Sequence, residues 1–329
     1  MTVLAGDIGG TKTLLQIADV APGQYDVKYE KRYVSADYDD LTPMVIEFLA
    51  EAKTKCDFTV ENACFGIAGP VKGRLANVTN LPWSLDADKM QQDTGLKNVS
   101  LINDFQSVGY AVEVLSDDDI VTLQEGAEQV QGPRVVIGAG TGLGQGLLVW
   151  INDHYEVVPS EGGHVQFGPV TELETELLQY LAREFGQVSY ERVSSGRGLY
   201  NIYRFLKDAG KGVESAELGD AIANGDPSAE ISKAAAAGNE PLASMALDLF
   251  CDIYGRQTGN LALTCLATGG VYIGGGVAPR IIEKIKEGGF LRAFNNNDKM
   301  GYLLKDMPVH VVVNANVGLI GSAVVASRM

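Results

Sequence analysis

Short apolar runs that end in glycine-rich turns are the main hydrophobic pattern of the chain. The run at residues 3–5 leads into the turn at 6–11, and another apolar run follows from Thr13. The run at 135–137 leads in the same way into the turn at 138–144. Because glycines between two short strand-like runs signal a hairpin, the pattern predicts two strand–turn–strand hairpins far apart in the sequence.

Helical periodicity and buried strands account for most of the remaining chain. Apolar spacing of three and four residues predicts helices, and continuous apolar runs predict buried strands. The predicted helices are 42–55, 172–185, most of 219–267 with a break at Gly238 to Pro241, a helix from Ala278, and the C-terminal segment. The predicted strands are 62–67, 99–102 and 309–313. Alternation of the two types indicates an α/β fold.

Composition narrows the possible functions. The 329 residues predict about two domains, and 26 basic against 42 acidic residues give a net charge of −16. This charge disfavours binding to nucleic acid or to an anionic membrane. The four cysteines form no C-x-x-C pair, and the first residues lack the basic and apolar segments of a signal peptide. We therefore expect a cytoplasmic protein.

The glycine turns suggest phosphate binding through exposed backbone N–H groups. Neither the Walker A motif nor the dinucleotide fingerprint fits, because both require a helix directly after the loop and strands follow here. Two hairpin turns from different domains would instead clamp a polyphosphate. Asp7 in the first turn would hold Mg²⁺ through water, since this hard cation prefers oxygen ligands. The third glycine cluster, residues 274–276, would let an adenosine lie against backbone. For each single turn, an ordinary tight turn is the alternative.

Four polar side chains are candidates for acceptor chemistry. Asp104 follows an apolar run, where it acts either as a general base or as the cap of a following helix. Glu161 and His164 flank two glycines and suit hydrogen bonding to sugar hydroxyls, with an ordinary buried histidine as the alternative for His164. Glu191 is another acid, which alone also fits a salt-bridged helix residue.

These residues together resemble a known family. Residues 4–11 are similar to the first phosphate loop of the bacterial glucokinases, which belong to the hexokinase–actin–Hsp70 ATPase superfamily. The similarity continues in family order over essentially the whole chain. Its further segments are 79–83, 102–105, 138–144, 161–164, 191–193, 273–276 and 316–321.

The resemblance implies ATP-dependent phosphorylation of glucose at its 6-hydroxyl. Asp104 matches the catalytic base and also belongs to the sugar site. The other positions that match sugar contacts are Asn103, Glu161, His164 and Glu191. The positions expected to bind nucleotide are Gly6, Asp7, Ile8, Gly9, Gly10, Thr11, Gly140, Thr141, Gly142, Gly275 and Gly276.

The resemblance also implies an architecture of two ribonuclease-H-like, actin-like ATPase domains around a cleft, usually in a homodimer. Residues 1–113 with 309–329 would form the smaller domain and 114–308 the larger. The related ROK proteins carry a cysteine-rich zinc motif soon after the equivalent histidine. Here residues 165–169 contain no cysteine, so we expect no structural zinc.

Other functions remain open at this point. The acceptor could be mannose, fructose or an N-acetylhexosamine, and ADP or polyphosphate could replace ATP as donor. A non-enzymatic sugar sensor or an actin-like polymer would keep the nucleotide turns but is expected to lose the base and the sugar ligands. The presence of Asp104, Glu161 and His164 argues against these last two.

Overall fold

Fourteen strands and thirteen helices are found in residues 1–21, 24–127 and 129–329, which a computed structural model describes. The strands are β1 Thr2–Ile8, β2 Lys12–Ala21, β3 Gln24–Val34, β4 Asn62–Ile67, β5 Val71–Lys72, β6 Leu75–Asn77, β7 Ser84–Asp86, β8 Asn98–Asn103, β9 Ile120–Gln124, β10 Arg134–Ala139, β11 Leu143–Ile151, β12 His154–Ser160, β13 Val271–Gly274 and β14 Val309–Val312. The helices are α1 Leu41–Ala52, α2 Ala87–Thr94, α3 Asp104–Ala111, α4 Glu172–Phe185, α5 Gly196–Asp208, α6 Ala216–Asn224, α7 Pro227–Ala237, α8 Pro241–Cys265, α9 Val277–Arg280, α10 Ile282–Lys286, α11 Gly289–Asn295, α12 Gly301–Asp306 and α13 Val317–Ser327.

The chain separates into two compact units. The first contains Met1–Asp119, Ile151–Val158 and Asn314–Met329, and the second contains Ile120–Trp150 and Pro159–Val313. These bounds differ from those of the predicted domains at residues 114–119, 151–158 and 309–313. Strand β14 pairs with β13 and β9, which are strands of the second unit, whereas the predicted boundary at 309 assigned it to the smaller domain.

The first unit is built on a five-stranded sheet with the order β3-β2-β1-β4-β8. Strands β1, β2 and β3 are antiparallel, and β4 and β8 continue the sheet parallel to β1. Both strands of the predicted first hairpin are present, but the pattern did not predict β3. Five of its eleven residues are charged and its side chains are largely exposed, so it shows little of the apolar signal that marks a strand.

The second unit is built around strands β11-β10-β13-β14-β9, which lie in that order in one sheet. The predicted second hairpin is β10 and β11, paired antiparallel with Gly138 opposite Gly144. Strand β13 lies parallel to β10, so the third glycine cluster begins at the same edge as the turn of that hairpin. Helix α8 runs through the core of this unit, where Tyr254 and Phe290 are fully buried and their rings meet edge to face.

The predicted helix at 172–185 coincides with α4, and the break at Gly238 to Pro241 separates α7 from α8. Gly238 ends α7 in the left-handed conformation, and Pro241 occupies the first turn of α8. Within the described part of the chain, no helix is long and apolar enough to cross a membrane.

Candidate functional site

Asp7 and Asn103 lie at the same edge of the first sheet because of the strand register. Asp7 in β1 is the partner of Gly66 in β4, and Ile67 in β4 is the partner of Asn103 in β8. The three strands are parallel, so their carboxyl ends meet at one edge, where ligands of open α/β sheets usually bind. Asp104 follows Asn103 directly and begins α3. The fold of the first unit therefore brings the two predicted acids of this unit together.

The helix cap at this edge is Asn103 rather than Asp104. The Asn103 side-chain oxygen accepts from the N–H groups of Phe105 at 3.0 Å and Gln106 at 3.3 Å. Its amide nitrogen donates to the carbonyl of Gly69 at 3.3 Å. Asp104 is the first residue of the helix, and one of its oxygens accepts from the Phe105 N–H at 2.8 Å. The predicted capping role therefore falls to Asn103, and Asp104 is the first residue inside the helix.

The two carboxylates influence each other. The pKa of Asp7 is raised to about 6, first by burial and then by the negative charge of Asp104, with Lys12 opposing. Burial also raises the pKa of Asp104, against the stabilising N–H of Phe105 and the Asn103 side chain. Two partly buried carboxylates with raised pKa values form a functional-site candidate. They also supply the oxygen ligands that Mg²⁺ prefers, although no cluster of three or more metal-ligating side chains occurs among the described residues.

The first glycine turn leaves two consecutive N–H groups without an intramolecular acceptor. The Gly9 N–H donates across the turn to the Lys12 carbonyl at 3.0 Å. Ser35 braces the turn from outside, since its hydroxyl donates to the Gly9 carbonyl at 2.8 Å and its N–H to the Thr11 carbonyl at 3.1 Å. In the described part of the chain, the N–H groups of Gly10 and Thr11 have no hydrogen-bond partner. Adjacent unpaired N–H groups of this kind bind anions.

The second glycine turn has the same property. The Gly140 N–H donates to the Gly142 carbonyl at 2.8 Å, and the Leu143 N–H donates to a carboxylate oxygen of Glu191 at 3.1 Å. No partner for the N–H groups of Thr141 and Gly142 is found within residues 1–21, 24–127 and 129–329. Each predicted phosphate turn thus presents a pair of N–H groups.

Gly275 lies against the start of the second turn. Its φ of +80° is in the region that favours glycine, and a Cβ there would lie 2.5 Å from the carbonyl oxygen of Ala139. Gly276 follows as the residue before α9. The third glycine cluster is therefore next to the second phosphate turn within the second unit, as its predicted nucleotide role requires.

Glu161 and His164 lie at the surface of the second unit. The Glu161 side chain is 92% exposed and that of His164 61% exposed, with Nε2 of the histidine 3.8 Å from a glutamate oxygen. His164 is therefore not an ordinary buried histidine. Both side chains extend from a short helical turn whose Gly163 backbone packs against the Leu143 carbonyl. Both polar heads are thus available to a ligand.

Among the described residues, no cationic side chain forms a salt bridge with Glu191. Its carboxylate oxygen holds the Leu143 N–H of the second glycine turn, as described above, and Glu191 lies in a short helical turn before α5. Sequence reasoning assigned it only to the sugar. The only trace of this second contact in the sequence is the glycine at position 142. A Cβ there would lie 2.6 Å from the Glu191 oxygen, so the contact requires glycine.

Sequence reasoning also missed a buried side chain beneath Glu161 and His164. Gln145 in β11 is 4% exposed, and its side-chain oxygen packs against Gly162. Its amide nitrogen has no hydrogen-bond partner among the described residues. The sequence feature that could have identified Gln145 is a polar glutamine within a predicted apolar strand.

Comparison with known proteins gives a consistent result. A family model described as Glucokinase matches residues 4–329. A glucokinase of Trichormus variabilis is 45% identical over 341 aligned positions, covering 99% of both chains. A glucokinase of a Nostoc species is 45% identical with the same coverage. The crystal structure of a glucokinase from an Antarctic psychrotroph superposes with a TM-score of 0.87 at 29% identity, covering 100% of this chain and 99% of the other. The predicted α/β fold of the actin-like ATPase class is confirmed.

Proposed function

Because the chain belongs to the glucokinase family, we propose that it transfers the terminal phosphoryl group of ATP to the 6-hydroxyl of D-glucose, with Asp104 as general base. The chain is a hexose kinase by its family. Glucose as acceptor, ATP as donor and the roles of the individual residues are proposed here.

The observation that carries the proposal is the position of Asp104. It combines a place at the start of α3, a carboxylate oriented by the Phe105 N–H, and a pKa raised by burial. A raised pKa makes a carboxylate a stronger base toward a hydroxyl proton. Asp104 would take the proton of the 6-hydroxyl as that oxygen attacks the γ-phosphorus.

The residues proposed to hold the sugar are Asn103, Asp104, Glu161, His164 and Glu191. Exposed carboxylates and an imidazole donate and accept hydrogen bonds, and they reject analogues that leave a polar group unpaired.

The nucleotide would be bound by the two glycine turns. The N–H pairs of Gly10 with Thr11 and of Thr141 with Gly142 suit phosphate oxygens, and the backbone at Gly275 and Gly276 suits the adenosine. In phosphoryl transfer, positioning and electrostatic stabilisation supply most of the rate. Asp7 would hold Mg²⁺ through water, and that ion supplies charge neutralisation on the phosphates.

The test is steady-state kinetics of the wild type, Asp104→Asn and Glu161→Gln over a panel of hexoses and with ATP, ADP or polyphosphate. Loss of the base is expected to lower kcat by roughly 10²–10⁴, the usual contribution of a general base. Glu161→Gln is expected mainly to raise KM for glucose. Near-normal turnover of Asp104→Asn would refute the base, and a better substrate than glucose would shift the function to the alternative hexose kinase.

We also propose a homodimer, on the strength of the family resemblance alone, and a cytoplasmic location. The four cysteines are unpaired thiols, which is compatible with a reducing compartment. Light scattering of the purified chain measures the subunit count directly.

A further inference from the structure

Residues 188–196 contact both functional loops of the second unit. Toward the nucleotide turn, the Leu143 N–H donates to the Glu191 carboxylate at 3.1 Å and the Gly196 N–H donates to the Gly140 carbonyl at 2.8 Å. These two bonds lie at opposite ends of the turn. Its width is therefore set by residues 188–196 as well as by its own strands.

The same residues pair with the segment that follows Glu161 and His164. The Phe167 N–H donates to the Val188 carbonyl at 2.9 Å, and the Tyr190 N–H donates to the Val165 carbonyl at 3.0 Å. The rings of Phe167 and Tyr190 meet edge to face with centroids 5.6 Å apart. Residues 188–196 thus join the sugar-binding turn to the nucleotide turn by fixed backbone contacts.

Glu191 is held firmly in this arrangement. Its carbonyl accepts from the Ser195 hydroxyl at 2.7 Å, and the same hydroxyl accepts from the Gly198 N–H at 3.0 Å, which caps α5. Ser195 is fully buried. Gly142 provides the space for the carboxylate, because a Cβ there would lie 2.6 Å from the Glu191 oxygen. The side chain is therefore ordered before any ligand binds.

We propose that Glu191 is a positioning residue of the nucleotide turn, in addition to its proposed contact with the sugar. Its carboxylate takes the Leu143 N–H and so fixes the conformation in which Thr141 and Gly142 present their N–H groups outward. Leu143 is buried, so loss of the carboxylate leaves its N–H without an acceptor and the turn relaxes to satisfy it. Glu191 acts on the nucleotide only through the backbone of this turn.

This inference rests on the proposed function, since it requires residues 140–142 to bind nucleotide. It differs from a sugar-binding role in one measurable respect: nucleotide affinity should depend on Glu191 when no sugar is present. Glu161 provides the matched control, because its carboxylate is exposed and has no contact with the nucleotide turn among the described residues.

The experiment is calorimetric titration of MgADP into the full chain without sugar, for the wild type, Glu191→Met, Glu191→Gln and Glu161→Gln. Methionine has nearly the length of glutamate but lacks its oxygens, and glutamine keeps one acceptor for the Leu143 N–H. Glu191→Met is expected to weaken MgADP binding roughly tenfold, the effect of one lost charge-assisted hydrogen bond. Glu191→Gln should recover most of this affinity, and Glu161→Gln should bind as the wild type does. Thermal unfolding of each variant reports whether it is folded, and Glu191→Ala replaces the methionine variant if that one is not.

Equal MgADP affinity in wild type and Glu191→Met would overturn this inference while leaving the proposed function intact. An equal loss in the methionine and glutamine variants would also overturn it, because the acceptor would then be irrelevant. Absence of MgADP binding to the wild-type chain would refute the proposed function itself, and with it the role given to Glu191.

Discussion

A buried pair of serines joins helix α13 to helix α3, which carries Asp104, and to strand β1, which carries Asp7. The Ser322 hydroxyl in α13 lies 3.0 Å from the Gly6 carbonyl and 2.8 Å from the Ser107 hydroxyl in α3. The Ser107 hydroxyl donates to the Gly318 carbonyl at 2.6 Å. Gly6 precedes Asp7, and Ser107 is one turn after the start of α3. We predict that Ser322→Ala destabilises the protein and lowers kcat.

The magnitude follows from the hydrogen bonds that are lost. Both serines are fully buried, so neither water nor another side chain replaces the missing hydroxyl. A typical hydrogen bond contributes about 0.5–1.5 kcal/mol, and a buried carbonyl left without a partner costs about 1–3 kcal/mol. The helices cannot move closer to compensate, because the backbones of Gly321 and Ser107 are already packed in contact. The expected loss is therefore about 1–3 kcal/mol in the free energy of unfolding.

The assay is urea unfolding followed by intrinsic tryptophan fluorescence, to which the buried Trp83 of the first unit and Trp150 both contribute, together with glucose phosphorylation kinetics. Turnover should fall more than the affinity for glucose, because the bond partners adjoin Asp7 and Asp104 rather than Glu161 or Glu191. Thr258→Val is the control: it removes a buried hydroxyl that donates to the Tyr254 carbonyl at 2.8 Å in the second unit, and should spare the kcat. Unchanged stability of Ser322→Ala, or a kcat equal to that of the control, would refute the reasoning.

Two further predictions concern stability away from the candidate site. The pKa of Asp119 is raised by burial but lowered overall by the Ser116 N–H and the Asn314 amide, which donate to its carboxylate at 2.8 and 2.7 Å. Because its folded pKa lies below the ordinary 3.8, its stabilisation exists above that pH and is lost as the pH falls through the folded pKa. Asp119→Ala should thus cost about 1–2 kcal/mol at pH 7 and little near pH 2, and a pH-independent difference in urea midpoints would contradict this. Arg256→Met should cost about 3–5 kcal/mol by leaving the buried Glu174 carboxylate unpaired, while the added change Glu174→Leu should restore much of it in the same unfolding assay.

Much of the fold could be predicted because the strands that form its sheets are unusually apolar. The runs that became β1, β4 and β10 are almost wholly buried, so their hydrophobicity shows directly in the sequence. Strand β3 could not be found in this way, since its charged side chains face solvent and it is held by backbone pairing with β2. Strand β14 was predicted as a strand, but its partners depend on contacts with β9 and β13, which hydrophobicity does not encode.

The candidate site was predictable in its residue types but less so in its contacts. Asp7 and Asp104 are rare acids at the ends of apolar runs, and the parallel register of β1, β4 and β8 brings them together. Their mutual effect on the pKa of Asp7 depends on the separation of the carboxylates in space, which no spacing in the sequence gives. The helix-cap assignment was shifted by one residue, because asparagine and aspartate cap helices about equally well and the backbone angle decides between them.

The groups that can bind phosphate are identified by finding which backbone N–H groups have no partner within the protein. All eleven predicted nucleotide positions are glycine or lie directly beside one, yet a glycine turn binds an anion only through N–H groups that the protein leaves unpaired. In the first turn, the Lys12 carbonyl accepts from the Gly9 N–H and Ser35 donates to the carbonyls of Gly9 and Thr11. The unpaired N–H groups are those of Gly10 and Thr11. In the second turn, the carboxylate of Glu191 accepts from the Leu143 N–H, so the unpaired N–H groups are those of Thr141 and Gly142. An acid close to a phosphate site would normally oppose anion binding. Here its charge is directed to the Leu143 N–H, so its contribution to a well-ordered turn can exceed its repulsion, and comparing glutamate with glutamine at this position measures the balance.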